Sequence, residues 1–186
     1  MSGFTHFNED GNAVMVDVGE KAETKREALA SGVIRMSEEC FQKVKEGSMK
    51  KGDVLGVARI AGIMGAKKTA ELIPLCHLLN LTKVEIDFEY LEEEHGIRAI
   101  CHTACTGRTG VEMEALTGVN TAFLQSMICA RRLTGEWRSE KSICLKSPVE
   151  KAGNGYVKRI LISGKKSKYL QRLTVEKTRL MVYNRL

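Results

Sequence analysis

The sequence predicts an α+β sandwich, with helices packed on one face of an antiparallel sheet. Three observations carry this. Between Lys83 and Tyr90 the residues Val84, Ile86, Phe88 and Tyr90 alternate with Lys83, Glu85, Asp87 and Glu89, the period of a strand with one wet face. The acidic turn Glu92-Glu-Glu-His-Gly96 then leads into Ile97–Cys105, a second strand, so the two read as a hairpin. Segments of helical pattern lie on either side of this pair, which is the order expected of helices laid over one sheet.

In chain order, Val14–Val18 reads as a short strand. Ala22 to about Leu29 has helical composition, with Gly32 as a stop. Ser37, followed by Glu38 and Glu39, has the form of a helix start, with acids at the positive end of the dipole. Gly47 caps that helix after Cys40, Phe41 and Val44. Asp53 caps a longer helix with Val54, Val57, Ala61 and Met64 at helical spacing, and Gly56, Gly62 and Gly65 within it permit close packing. Pro74 interrupts the chain before Leu75-Cys76-His77. A last helix begins near Gly110 and runs to about Leu124.

A chain of 186 residues suffices for one domain with a core. No apolar run reaches membrane-spanning length, and Met1–Gly11 lacks the pattern of a secretion signal, so a soluble, cytoplasmic protein is expected. The six cysteines are irregularly spaced and are expected as reduced thiols. The net charge of +6 conceals a division. Residues 1–124 carry 14 Lys+Arg and 19 Asp+Glu, whereas residues 125–186 carry 15 and 4. No aspartate follows Asp87. A basic tail of this kind is either an arm for nucleic acid or an acidic partner, or sequence never selected to fold.

Several residues have the chemistry of a site. Lys51-Gly52-Asp53 sets a cation beside a flexible glycine before a helix, an arrangement able to meet a phosphate; an exposed loop lysine is the bland alternative. Lys67-Lys68 is either a solvated helix face or a triphosphate clamp. His77 lies in the apolar stretch Leu72–Leu81, where an imidazole needs a partner; it is an acid/base or substrate-donor candidate, or a satisfied core histidine. Cys76-His77 and Cys101-His102-Thr-Ala-Cys105 supply zinc-type ligands, but their spacing is unlike known zinc sites and no metal is expected. Thr106–Gly110 is a turn whose N–H groups and Arg108 can hold an anion. Glu112 and Glu114, two apart, do not form a simple carboxylate pair; either can accept from guanine-like N–H groups.

Taken together, Val16-Asp-Val18, Lys21-Ala-Glu-Thr24, Lys51-Gly-Asp53, Ala58-Arg-Ile-Ala-Gly62, Ala66-Lys-Lys68, Leu72-Ile-Pro-Leu-Cys-His77 and Thr109-Gly-Val-Glu-Met-Glu-Ala-Leu-Thr117 resemble the cyclic pyranopterin monophosphate synthases, often called MoaC, over about residues 11–124. The resemblance implies a ferredoxin-like subunit, a homohexamer built from dimers, and active sites at subunit interfaces. It implies a lyase of molybdenum-cofactor biosynthesis. The substrate would be 3′,8-cyclo-7,8-dihydroguanosine 5′-triphosphate and the products cyclic pyranopterin monophosphate and diphosphate. No resident cofactor is implied, although magnesium can accompany the triphosphate. By this resemblance Lys51 is catalytic, Leu75, Cys76, His77, Met113 and Glu114 bind substrate, and Glu112 and Lys67 support them. Leu78 departs from the proline usual there.

After Leu124 the resemblance stops. The family continues in a Tyr-Asp-Met-Cys-Lys pattern whose aspartate is a general acid/base assisted by the lysine. Here Ile128 holds the aspartate position and Arg131 the lysine position; an isoleucine transfers no proton, and an arginine is essentially never deprotonated. A frame slip accounts for this. Met127 ends in G and Ile128 begins AU, so codons read one base earlier give GAU, aspartate. With permitted third bases the stretch becomes Val-Tyr-Asp-Met-Cys-Lys. In the same displaced frame Lys146–Gly153 can read as the family's glycine-rich end. The expectation is therefore a synthase-like region at 1–124 and an out-of-frame basic tail at 125–186, poorly packed and, from about Tyr156, running past the normal stop. The alternative is a catalytically dead relative whose tail binds nucleic acid; its few aromatics, Trp137, Tyr156, Tyr169 and Tyr183, argue against it.

Overall fold

The computed structural model describes residues 6–8 and 10–130, together with the backbone of 138–146. The elements follow as β1 (Thr24–Arg35), α1 (Glu38–Lys45), α2 (Val54–Lys67), α3 (Thr69–Leu72), β2 (Leu81–Leu91), β3 (Gly96–Gly107), α4 (Glu112–Ala130) and β4 (Arg138–Lys146). The sheet is antiparallel with the order β2-β3-β1-β4. That strand order, with α2 and α4 as the two long crossovers, is the ferredoxin-like arrangement expected.

β2 and β3 form the expected hairpin, paired from Leu81↔Cys105 to Leu91↔Gly96. The acidic turn tightens into a 3-10 turn at Glu92–Glu94, and His95 closes it in the left-handed region at φ 44°. α1 starts at Ser37, whose Oγ accepts from the Cys40 N–H at 3.3 Å. It ends where Gly47, at φ 68°, turns left-handed. The Gly47 N–H donates to Val44 O and the Ser48 N–H to Lys43 O, a Schellman closure. Asp53 caps α2 by accepting from the Gly56 N–H at 2.8 Å.

Two expectations are overturned. Ala22–Leu29 with a stop at Gly32 is not a helix: β1 runs through both, paired with β3 without interruption from Thr24↔Gly107 to Arg35↔Gly96. Flanked by β3 and β4, it is buried on both faces from Leu29 to Gly32, so it shows no alternation to read. Val14–Val18 is not a strand either. It is irregular chain lying over the site, preceded by a single bridge between Phe7 and Ala13.

α4 crosses Leu124 without a break and ends at Ala130. β4 pairs with β1, with register shifts between Leu29 and Ala30 and between Ser31 and Val33. The other tail residues, Arg131 among them, lie outside the described residues, and so does most of the segment expected to pack poorly.

The core lies between the sheet and the helices: Phe41, Ile34, Ile86, Ile97, Val111 and Val119 are fully buried. α2 packs on α4 through small residues. A Cβ on Gly62 would stand 2.8 Å from Gly118 O, and one on Gly65 2.3 Å from Thr121 Oγ1. The glycines thus set how near the two helices come. Among the described residues no helix is long and apolar enough to cross a membrane.

Candidate active site

Two sequence segments far apart in the chain meet in one cavity of about 530 Å³. One wall is the turn after α3. Ile73 is extended (φ −116°, ψ 108°), as the residue before a proline must usually be. Leu75 then adopts φ 67°, a left-handed conformation that costs a non-glycine residue about 1–3 kcal/mol. The Cys76 N–H closes the turn on Ile73 O at 3.3 Å. This strained turn carries Leu75, Cys76 and His77 into the lining.

The opposite wall is the first turn of α4, with Glu112, Met113 and Glu114, preceded by Thr109 and Gly110. Thr103 Oγ1 donates to Val111 O at 3.0 Å and fixes the helix start to β3. A Cβ on Gly110 would fall 2.2 Å from a Glu112 carboxylate oxygen, so glycine leaves Glu112 room to fold back over the loop. Glu114 is 4% exposed. Burial pushes its carboxyl above the usual range and the charge of Glu112 adds to this, with a backbone N–H bond opposing. Burial likewise raises the Cys76 thiol, with Glu114 contributing. The cavity therefore pairs a carboxyl biased toward its protonated form with a second carboxyl and an imidazole. Such a set can accept from, and donate to, ring nitrogens and hydroxyls.

The third wall is the N-terminal segment: His6, Val16, Val18 and Lys21 line the cavity. His77 Nε2 lies 2.8 Å from Val16 O. Sequence reasoning gave these residues no role, although Val16-Asp-Val18 and Lys21-Ala-Glu-Thr24 were among its matched segments; the signal was present without a chemical assignment.

Lys51 is not in this cavity. Its Nζ donates to Ile128 O at 3.0 Å, meeting one of the carbonyls that the end of α4 leaves without a helical partner. The structure thus brings together Lys51 and Ile128, the two positions that the resemblance makes catalytic, but apart from the residues that line the cavity. Ile128 lies sixteen steps along α4 from Glu112, about 24 Å of helix. Lys67, exposed on the last turn of α2, is also outside the cavity lining, and Lys68 pairs with Glu71 at 3.2 Å. Arg108 is engaged by protein, donating to Gly19 O at 2.8 Å and facing Glu23 at 3.7 Å. Cys101 and Cys105 are buried on β3, and among the described residues no group of three or more His, Cys, Asp and Glu side chains converges as a metal site would.

The family model described as MoaC matches residues 15–129, a span holding every wall of the cavity except His6, together with Lys51 and Ile128. The chain belongs to the MoaC family. A cyclic pyranopterin monophosphate synthase of Clostridium botulinum (strain Alaska E43, type E3) is 56% identical over 121 residues, covering 65% of this chain and 76% of that protein. For a MoaC chain the match ends within one residue of the end of α4, beyond the point where the charge balance changes.

Proposed function

We propose that this chain is a cyclic pyranopterin monophosphate synthase. It would convert 3′,8-cyclo-7,8-dihydroguanosine 5′-triphosphate to cyclic pyranopterin monophosphate and diphosphate in molybdenum-cofactor biosynthesis. The supporting observation is the convergence of Leu75-Cys76-His77 with Glu112-Met113-Glu114 in one cavity, within a chain so similar to a synthase of that name. In this reading the cavity takes the base. Glu112 and Glu114 answer the N–H groups of a guanine-derived ring, and His77 and Glu114 move protons as the ring opens and closes. Lys51 and Lys67 act on the phosphates, and positions 128 and 131 are those of the general acid/base and its lysine. Ile128 leaves this chain without that acid. The change is assigned to a lost base near the codons for Phe123–Gln125, and sequencing the gene across codons 118–135 tests it: one further base that restores Tyr-Asp-Met-Cys-Lys supports the slip, whereas an uninterrupted frame encoding Ile128, in a protein that accumulates, overturns the catalytic reading of this chain.

The separation of Lys51 from the cavity supports sites completed by a second copy, in a homohexamer. Val57, Ile60 and Met64 on α2 and Leu124 on α4 are exposed apolar residues that such contacts would cover. Light scattering should give six times the chain mass of 20.6 kDa; a monomer refutes the assembly. A cytoplasmic setting suits the five described cysteines, all free thiols. Activity is tested by following pterin product and diphosphate with the purified substrate, using the Ile128→Asp, Arg131→Lys variant. Mixing His77→Ala and Lys51→Ala chains in that background should restore activity that neither has alone. No product from the restored variant overturns the function.

A further inference from the structure

Among the described residues, His77 is tied by one ring nitrogen only, to a group that can solely accept. Its Nε2 lies 2.8 Å from the backbone oxygen of Val16. A carbonyl oxygen has no proton to give, so in the neutral ring the proton must be on Nε2 and the lone pair on Nδ1. We infer that the Val16 carbonyl, on a strap pinned by Arg108, fixes His77 as its Nε2–H tautomer and leaves Nδ1 as the lone pair offered to the cavity. This rests on reading the cavity as the substrate site.

The strap is stiffened on both sides of Val16 by bonds within itself. Before it, the Asn8 N–H donates to Asn12 O at 2.9 Å and the Gly11 N–H to Asn8 O at 3.0 Å. Asn8 Oδ1 accepts from the Asn12 N–H at 2.8 Å, and the Val14 N–H returns to His6 O at 2.9 Å. After it, the Gly19 N–H donates to Asp17 Oδ1 at 2.7 Å, and the Lys21 N–H to Val18 O at 3.1 Å. Arg108, from the loop between β3 and α4, donates to Gly19 O at 2.8 Å. The guanidinium thus joins the strap to the loop that also delivers Glu112 and Glu114. A strap stiffened by its own turns and tied to that loop by Arg108 holds the Val16 oxygen where the imidazole meets it. Arg108 is accordingly a positioning residue, acting on His77 through Gly19 and Val16. This also explains why the turn that looked like an anion cradle carries an arginine: the cation serves the protein's own carbonyl.

The consequence for chemistry is directional. A neutral His77 fixed in this way accepts from the ligand at Nδ1, and once that nitrogen takes a proton the ring donates from both sides while keeping its bond to Val16. No rotation of the ring is needed between the two roles, since the ring is already anchored through the nitrogen that does not react.

The test is ring-nitrogen NMR on the full chain labelled with ¹⁵N-histidine, with His77 assigned by His77→Gln. The expected spectrum has His77 as the Nε2–H tautomer alone. An Nδ1–H ring, or a rapidly averaging mixture, overturns the inference. In Arg108→Ala, with the rest of the amide spectrum unchanged, the tautomer balance should move toward a mixture and in Arg108→Lys it should partly return; an unaltered His77 in Arg108→Ala removes Arg108 from the proposal. GTP is then added as a probe. Movement of Nδ1 with Nε2 held constant is expected, and GTP binding that leaves Nδ1 unmoved overturns its placement toward the ligand. GTP that fails to bind counts against the proposed substrate site, whereas the tautomer is decided by the ligand-free spectrum.

Discussion

Replacing Ile128 with aspartate, together with Arg131→Lys, should raise synthase activity by about 10²–10⁴-fold, the usual contribution of a positioned general acid or base. That is about 2.7–5.5 kcal/mol in activation free energy. The structure indicates that the fold will accept the change. Ile128 is 51% exposed and sits two residues before the end of α4, so little packing is lost. A carboxylate in the last turn of a helix costs about 0.3–1 kcal/mol against the dipole. Lys51 offsets this, because its Nζ is already 3.0 Å from the backbone oxygen of the same residue, and an exposed pair of this kind is worth about 0–1 kcal/mol. Stability should therefore change by less than about 1 kcal/mol while turnover changes by orders of magnitude. The assay follows diphosphate release and pterin product under saturating substrate, with urea unfolding of both chains as control. If the unsubstituted chain works within tenfold of the restored variant, position 128 is not that of the acid and the account of the tail fails with it.

Three other outcomes follow from the packing and the charges. Burial raises the Glu114 carboxyl, so the folded chain keeps a proton that the unfolded chain releases near pH 4.3. Stability should then fall as pH rises from that value through the folded one, and Glu114→Gln should flatten this slope in urea midpoints followed upward from about pH 4; parallel curves for the two chains refute it. Gly62→Ala should destabilise by about 1–3 kcal/mol despite alanine's better helix propensity, because its Cβ would meet Gly118 O at 2.8 Å; an unchanged midpoint shows that α2 and α4 can separate. Burial pushes the Cys40 thiol up to about 11 and that of Cys101 up to about 12, so both should be the last to alkylate in the native protein, as peptide mass spectrometry reads directly; early labelling of Cys101 refutes its placement under Gly118.

What could be read of the fold depended on how each element meets water. β2 faces solvent on one side, and its alternation was plain. Ser37 and Gly47 marked α1 because its ends need partners that the helix cannot supply. β1 escapes the sequence pattern because Ala22–Leu29 is rich in helix formers, whereas its conformation is set by a twelve-residue register with β3, a tertiary term that local propensity does not contain. The same limit appears at Leu124, where composition changes but apolar spacing does not. Phe123, Ser126 and Ala130 keep facing inward, so α4 continues.

The site was legible as chemistry and only partly as place. Pro74 to His77 and Thr109 to Glu114 are contiguous motifs, and each forms one wall because a tight turn and a helix start hold neighbouring residues together. Lys51 and Lys67 belong to the same chemical reading, yet α2 and α4 are rigid rods, and Lys51 meets the far end of the rod that begins at Glu112. Side-chain motion does not close a gap of about 24 Å. Within one chain, then, the group suited to a guanine-derived ring and the lysine beside position 128 are fixed apart. If both act on one molecule, the second must come from another copy, and the exposed apolar residues Ile60 and Leu124 lie on the helices that would have to meet it.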